Sequence, residues 1–154
     1  ICWQGSTRAA DHGRSFPLAA FAPLAALPGV RLISLHKGAG EPQLRDLPPG
    51  MRVEPPGPDF DPPGAAFLDS AALMAACDLV ITSDTALAHL AGALGVPCWV
   101  VLKHIPDWRW LLEREDSPWH PTLRLFRQDR PGDWASAFAK VAGALRPLLH
   151  GDAP

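Results

Sequence analysis

The 154-residue sequence holds three cysteines, Cys2, Cys77 and Cys98, an odd number with no Cys-x-x-Cys spacing. That argues against a disulfide framework or a zinc ribbon and for reduced thiols acting as small hydrophobes in a cytoplasmic protein. No apolar stretch approaches the roughly 20 residues of a membrane span, and no signal peptide is visible. With a net charge of −2 and a pI of about 6.3, the chain has no global basic field to attract nucleic acid. No Gly-x-Gly-x-x-Gly follows the first apolar run and no P-loop occurs, so dinucleotide oxidoreductases and NTPases lose their usual support. A His/Cys cluster with metal-ligand spacing is missing too, and neither a metal nor another cofactor is expected.

What remains is 47% hydrophobic and 19% charged, enough for one soluble domain with a real core. The chain is organised around residues 78–102. The apolar run Leu79–Ile81 gives way to Thr82-Ser83-Asp84-Thr85, then to apolar residues at 87, 90, 91 and 94, then to Gly95-Val96-Pro97 and a second apolar run to Leu102. Two uniformly apolar runs flanking an i, i+3, i+4, i+7 pattern predict a βαβ crossover in a parallel sheet. Ser83, Asp84 and Thr85 are good cap residues, and the first N–H groups of a helix lack partners within it. A phosphate at this helix N-terminus is the natural ligand, since open α/β sheets bind beyond the carboxyl ends of their strands. His89, one turn above Thr85, is placed to donate to that anion. A cap cluster with a nearby histidine is also an ordinary structural feature.

Further strands are expected at Ile1–Gln4, Val30–Leu35, Met51–Val53 and Leu123–Phe126, the last edge-like. A polar loop with Arg8 and Arg14 follows the first, where an arginine can serve as a bidentate phosphate donor or simply be solvated. Helices are expected from about Pro23, before Pro28-Gly29; after a cap at Asp69, with Leu73, Met74, Ala76 and Cys77 facing the core; and after a cap at Asp133, with Trp134, Phe138, Val141 and Leu145 on one face. Residues 42–64, rich in proline and glycine, read as surface connection, and Trp108 and Trp110 as local packing. The fold class is α/β: a three-layer, Rossmann-like domain over 1–150 with a mainly parallel sheet of about six strands. Residues 151–154 form a frayed tail. Because Ile1-Cys2-Trp3 already reads as strand interior, the chain is expected to be a piece of a longer one.

Together these residues resemble the C-terminal, donor-binding half of a GT-B glycosyltransferase of family 9, the heptosyltransferase-like family. The likeness spans nearly the whole chain. Its most specific part, Asp84-Thr85-Ala86-Leu87-Ala88-His89-Leu90-Ala91, is similar to the family's D-[ST]-x-x-x-H-[LI]-A signature. Ile1-Cys2-Trp3-Gln4-Gly5, Arg14-Ser15-Phe16-Pro17 and Leu35-His36-Lys37-Gly38 resemble the bacterial relatives attached to tetratricopeptide repeats more closely. The resemblance implies a nucleotide-sugar donor whose diphosphate lies on the backbone of Thr85, Ala86 and Leu87 with help from His89. Asp84 would face the sugar hydroxyls. Arg14, where heptosyltransferases carry a lysine, would neutralise the phosphates. Glu41 and His36 would contact the nucleoside, His36 departing from the glutamine more usual there. It implies no metal, an acceptor that is a glycan, lipid or protein, and a catalytic base in an N-terminal domain absent from this sequence. The alternative is a noncatalytic nucleotide-sugar sensor or protein-interaction domain that keeps the fold.

Overall fold

The structure is a computed structural model that describes residues 1–6 and 13–151. Arg8 and the tail 152–154 lie outside the described residues. In chain order the elements are α1 (Ala22–Ala25), α2 (Leu68–Ala75), β1 (Val80–Ser83), α3 (Ala86–Leu94), β2 (Cys98–Leu102), β3 (Leu123–Arg127) and α4 (Trp134–Leu149). The strands form one parallel sheet in the order β1-β2-β3, with Val80 opposite Cys98 and Cys98 opposite Leu123.

The sheet thus has three strands where the sequence pattern predicts about six. The other three segments run beside it but make single bridges: Cys2 with Thr82, and Ile33 with Glu54, both parallel. Backbone bonds complete the row, from Cys2 N to Ile81 O at 3.0 Å, Leu35 N to Ile1 O at 2.9 Å and Glu54 N to Leu32 O at 2.8 Å. Local competition explains why these segments do not extend into ladders. The Trp3 carbonyl is taken by Phe16 N, His36 N turns back onto Ser34 Oγ at 3.1 Å, and Pro55-Pro56 has no N–H to offer after Glu54. Numbered by sequence, the segments lie side by side as third, second, first, β1, β2, β3. This doubly wound order reverses direction between Cys2 and β1.

Every residue of β1 and β2 is buried, as uniformly apolar runs require when both faces are covered. Alternate side chains feed two cores. On one face, Ile81, Trp99, Val101 and Phe126 meet Phe16, Phe21, Leu24 and the Phe138–Val141–Leu145 stripe of α4; on the other, Val80, Cys98, Val100 and Leu102 meet Met74, Leu87, Ala88 and Ala91. Phe138 sits edge-on to Phe16 at 5.0 Å and to Phe21 at 4.9 Å. Each such buried side chain contributes roughly 1.5–3 kcal/mol. Helices α1 and α4 therefore cover one face and α2 and α3 the other, giving three layers.

Asp133 caps α4 as expected, its Oδ1 accepting from Ser136 N at 3.0 Å. Pro23 sits in the first turn of α1, where its missing N–H costs nothing. Asp69 is not the cap of α2. That position belongs to Phe67, in the left-handed region at φ 69°, and the N-terminus is satisfied instead by Asp61, whose carboxylate accepts from Asp69 N at 2.9 Å and Ser70 N at 3.2 Å. Ala76 and Leu94 are exposed rather than core-facing. Trp110 is fully buried, whereas Trp108 is 71% exposed.

Candidate functional site

The site is built where the sheet order reverses. β1 ends at Ser83, the chain crosses Asp84 and Thr85, and α3 begins at Ala86. Thr85 occupies the N-cap position in extended conformation, but its side chain caps nothing. Its hydroxyl pairs with Thr82 Oγ1 at 3.0 Å. The first turn of α3 is thus left without a side-chain partner, carrying the positive end of the helix dipole.

A cleft of about 510 Å³ lies against this turn, lined by Thr85, Ala86 and Leu87 on one side and by Gln4, Gly5, Arg14, His36 and Lys37 on others. Gly5 N donates to Ser15 Oγ at 3.1 Å, tying the loop that follows the first segment. Asp61, Phe67 and Ser70 close the remaining wall. Asp61 and Phe67 both hold positive φ, 43° and 69°, a strained arrangement for non-glycine residues that gathers at functional sites.

Of the residues singled out in the sequence, the structure brings Arg14, His36, Thr85, Ala86 and Leu87 into this one cleft. His36 is buried and stacks on Trp3, ring centroids 4.3 Å apart. Its Nε2 accepts from Gly40 N at 3.0 Å, which places its proton on Nδ1, 3.4 Å from Cys2 Sγ. Burial pushes its pKa down, against a smaller upward pull from Glu41. Both ring nitrogens are thus engaged inside the protein. Glu41 is outside the cleft: its Oε1 accepts from Gly38 N at 2.6 Å, and it borders a separate hollow of about 180 Å³ with His36 and Pro55.

His89 and Asp84 also stand outside the cleft lining. His89 is half-buried and stacks on Trp110, centroids 5.1 Å apart and planes at 17°. Its Nδ1 is 3.4 Å from His120 Nε2. Burial lowers its pKa, with Arg109 and His120 adding to the shift and Asp84 and Asp107 opposing it. Asp84 is buried at the strand end. The cleft at the helix terminus is thus lined by backbone and cations, with His89 and Asp84 outside its lining.

Lys37 and Asp61 are cleft residues that the sequence reading missed. Lys37 Nζ donates to Phe60 O at 2.6 Å and also to Asp61 O. Burial alone would raise the Asp61 carboxyl, but bonds from Ser70 and Asp69 and the charge of Lys37 hold it below the usual carboxylate range. The available signals were a lysine directly after His36 and an aspartate between proline turns, Phe60-Asp61-Pro62.

A larger hollow, about 1000 Å³, lies between the β3 edge, α4 and residues 112–115. Two ion pairs cross it, Arg124 to Glu115 at 3.0 Å and Lys140 to Asp129, and it is remote from the reversal in sheet order. Chemistry here follows the smaller cleft. Among the described residues no three His, Cys, Asp or Glu side chains gather as metal ligands would, and no helix is long and apolar enough to cross a membrane. All three cysteines are free, and burial pushes the Cys98 thiol up to about 12.

Comparison with known proteins adds three findings. The model of glycosyltransferase family 9 (heptosyltransferase) matches residues 63–101, the stretch from α2 through β2. Protein FlbA of Caulobacter vibrioides is 33% identical over 147 residues, covering 95% of this chain and 24% of that protein. The structure of ADP-heptose LPS heptosyltransferase II of E. coli superposes with a TM-score of 0.68 over 99% of this chain and 46% of that one, at 19% identity. The chain thus spans about a quarter of its curated relative and under half of the solved enzyme, and the latter likeness is one of fold.

Proposed function

We propose that this chain, whose residues 63–101 match the model of glycosyltransferase family 9 (heptosyltransferase) and whose fold is that of a heptosyltransferase half, is the donor-binding half of a GT-B glycosyltransferase of that family and takes a nucleoside-diphosphate sugar. The observation that carries this is the uncapped first turn of α3 facing a cleft that also holds Arg14 and Lys37. Helix N–H groups and two cations are what a diphosphate requires.

Glycosyl transfer creates an oxocarbenium-like sugar and a diphosphate leaving group. The N–H groups of Ala86 and Leu87, with Arg14 and Lys37, take up the charge that grows on the departing phosphate; fixed donors of this kind contribute because they need no reorganisation. In this reading Asp84 accepts from the sugar hydroxyls and His89 donates to the phosphate, both acting from just beyond the cleft lining. Glu41 is the ribose contact in this reading, reached by release from Gly38 N. The base that activates the acceptor belongs to an N-terminal domain, and the whole protein works in the cytoplasm.

The test is a thermal-shift panel of ADP-, GDP-, UDP- and dTDP-sugars against the chain. Stabilisation by one base series, retained by its bare diphosphate and lost with its nucleoside, is the expected result. Equal response to nucleoside and diphosphate, or none to any member, removes the proposal.

A further inference from the structure

His120 lies on the connection between β2 and β3, outside the stretch that matches the family model. Nothing in the sequence marks it. In the fold its ring is seated against α3: a Cβ at Gly92 would overlap His120 Cβ, Cγ and Nδ1, so only a residue without a side chain leaves room for it. From this seat its Nε2 reaches His89 Nδ1 at 3.4 Å, with ring centroids 5.6 Å apart. Trp110, fully buried, covers a face of the His89 ring by stacking.

We propose that His120 is a positioning residue for His89, holding its ring against Trp110 and sharing one proton across the Nδ1–Nε2 contact so that His89 Nε2–H is presented to an anion. This rests on the diphosphate reading above. The proton logic follows from the two rings. When the pair is neutral, an anion at His89 Nε2 selects the tautomer in which His120 Nε2–H donates to His89 Nδ1, leaving the His89 proton on Nε2. When the pair takes up one proton, His89 Nδ1–H donates to His120 Nε2, and Nε2–H is again free to donate. A second proton would set two imidazolium rings against each other. Arg109 also disfavours protonation of His89, while Asp84 and Asp107 favour it; a bound anion joins the latter side and draws the single proton in.

The experiment follows the ring resonances of His89 and His120 by NMR against pH, with and without inorganic pyrophosphate, in the unaltered chain, His120→Ala, His120→Gln and Gly92→Ala. Coupled titration of the two rings is expected in the unaltered chain, with His89 shifted upward by pyrophosphate. His120→Ala should abolish the coupling and weaken pyrophosphate binding about tenfold near neutral pH, and His120→Gln, which can hydrogen-bond from the same seat, should restore most of the affinity. Gly92→Ala should uncouple His89 by displacing the intact His120 ring. Unchanged His89 titration in both His120→Ala and Gly92→Ala overturns the proposal, even where pyrophosphate binds. Lost coupling with unchanged affinity at every pH overturns it as well, while leaving the anion site standing. Failure of pyrophosphate to bind any form, with the rings still coupled, overturns the diphosphate reading itself.

Discussion

At the scale of single residues, two histidines give stability a pH dependence just below neutrality. Both His36 and His89 have pKa values lowered by burial, so the fold favours their neutral forms over the roughly 6.5 of an unfolded chain. Their contribution to stability is therefore complete above pH ~6.5 and is lost as the pH falls through the lower folded values. Melting temperature should fall as the pH drops below about 6.5, ahead of the carboxylates. His36→Gln should flatten part of that slope, and an unchanged slope would remove His36 from the explanation. Gly40 is the neighbouring test. A Cβ there would overlap His36 Nε2 and Trp3 Nε1, two fully committed groups, so Gly40→Ala should cost roughly 1–3 kcal/mol by overpacking, read by urea denaturation.

The placement of these residues divided by how local its cause was. Thr85, Ala86 and Leu87 were legible because helix start and strand end were both written in residues 79–94. His89 was legible as a polar residue above the helix terminus, but its direction was not: the ring is drawn towards Trp110 and His120, 21 and 31 positions onward, and no i, i+4 argument contains that. The engagement of both His36 nitrogens depends on Gly40 and Cys2, again a tertiary fact.

Among elements, α3 and β2 follow their sequence pattern closely, since a strong 3.6-residue period and two uniformly apolar runs leave few choices. The three segments short of strand status show the reverse. Val30–Leu35 has the composition of a strand, yet His36 N turns to Ser34 Oγ and the ladder stops at a single bridge. Helix α2 depends on a cap eight residues upstream of Asp69, hidden in a proline-rich stretch. Asp61 accepts three bonds from Asp69 N, Ser70 N and Ser70 Oγ, so Asp61→Ala should destabilise the chain by roughly 1–2 kcal/mol, at the upper range of cap losses. Asp69→Ala removes only the reciprocal bond to Asp61 N and should cost less. Denaturant midpoints for both variants decide it, and equal losses would contradict the assignment of Asp61 as the cap.

For the whole molecule, the doubly wound order places the cleft at the reversal between the first segment and β1, so a binding site arises from topology before any side chain is chosen. On the proposed reading, a GT-B reaction takes place between two such domains and this chain supplies one wall. It should bind its nucleotide sugar weakly, with a Kd in the micromolar-to-millimolar range, about −4 to −8 kcal/mol, and should transfer no sugar by itself. Labelled donor offered to equal molar amounts of this chain alone and of a longer protein that carries it beside the proposed N-terminal domain checks this. Robust turnover by this chain alone contradicts the half-site reading. Binding without turnover by either protein favours a nucleotide-sugar sensor.

The central claim, that a nucleoside diphosphate sits on the first turn of α3, is tested most directly by backbone amide NMR of the ¹⁵N-labelled chain with ADP, GDP, UDP and dTDP and with the matching nucleosides. The account predicts that one diphosphate moves the amides of Thr85, Ala86 and Leu87 most, that its nucleoside leaves them nearly still, and that Arg14→Gln weakens the diphosphate far more than the nucleoside. Shifts centred on the hollow between β3 and α4, or amides of α3 that respond equally to nucleoside and diphosphate, would contradict it.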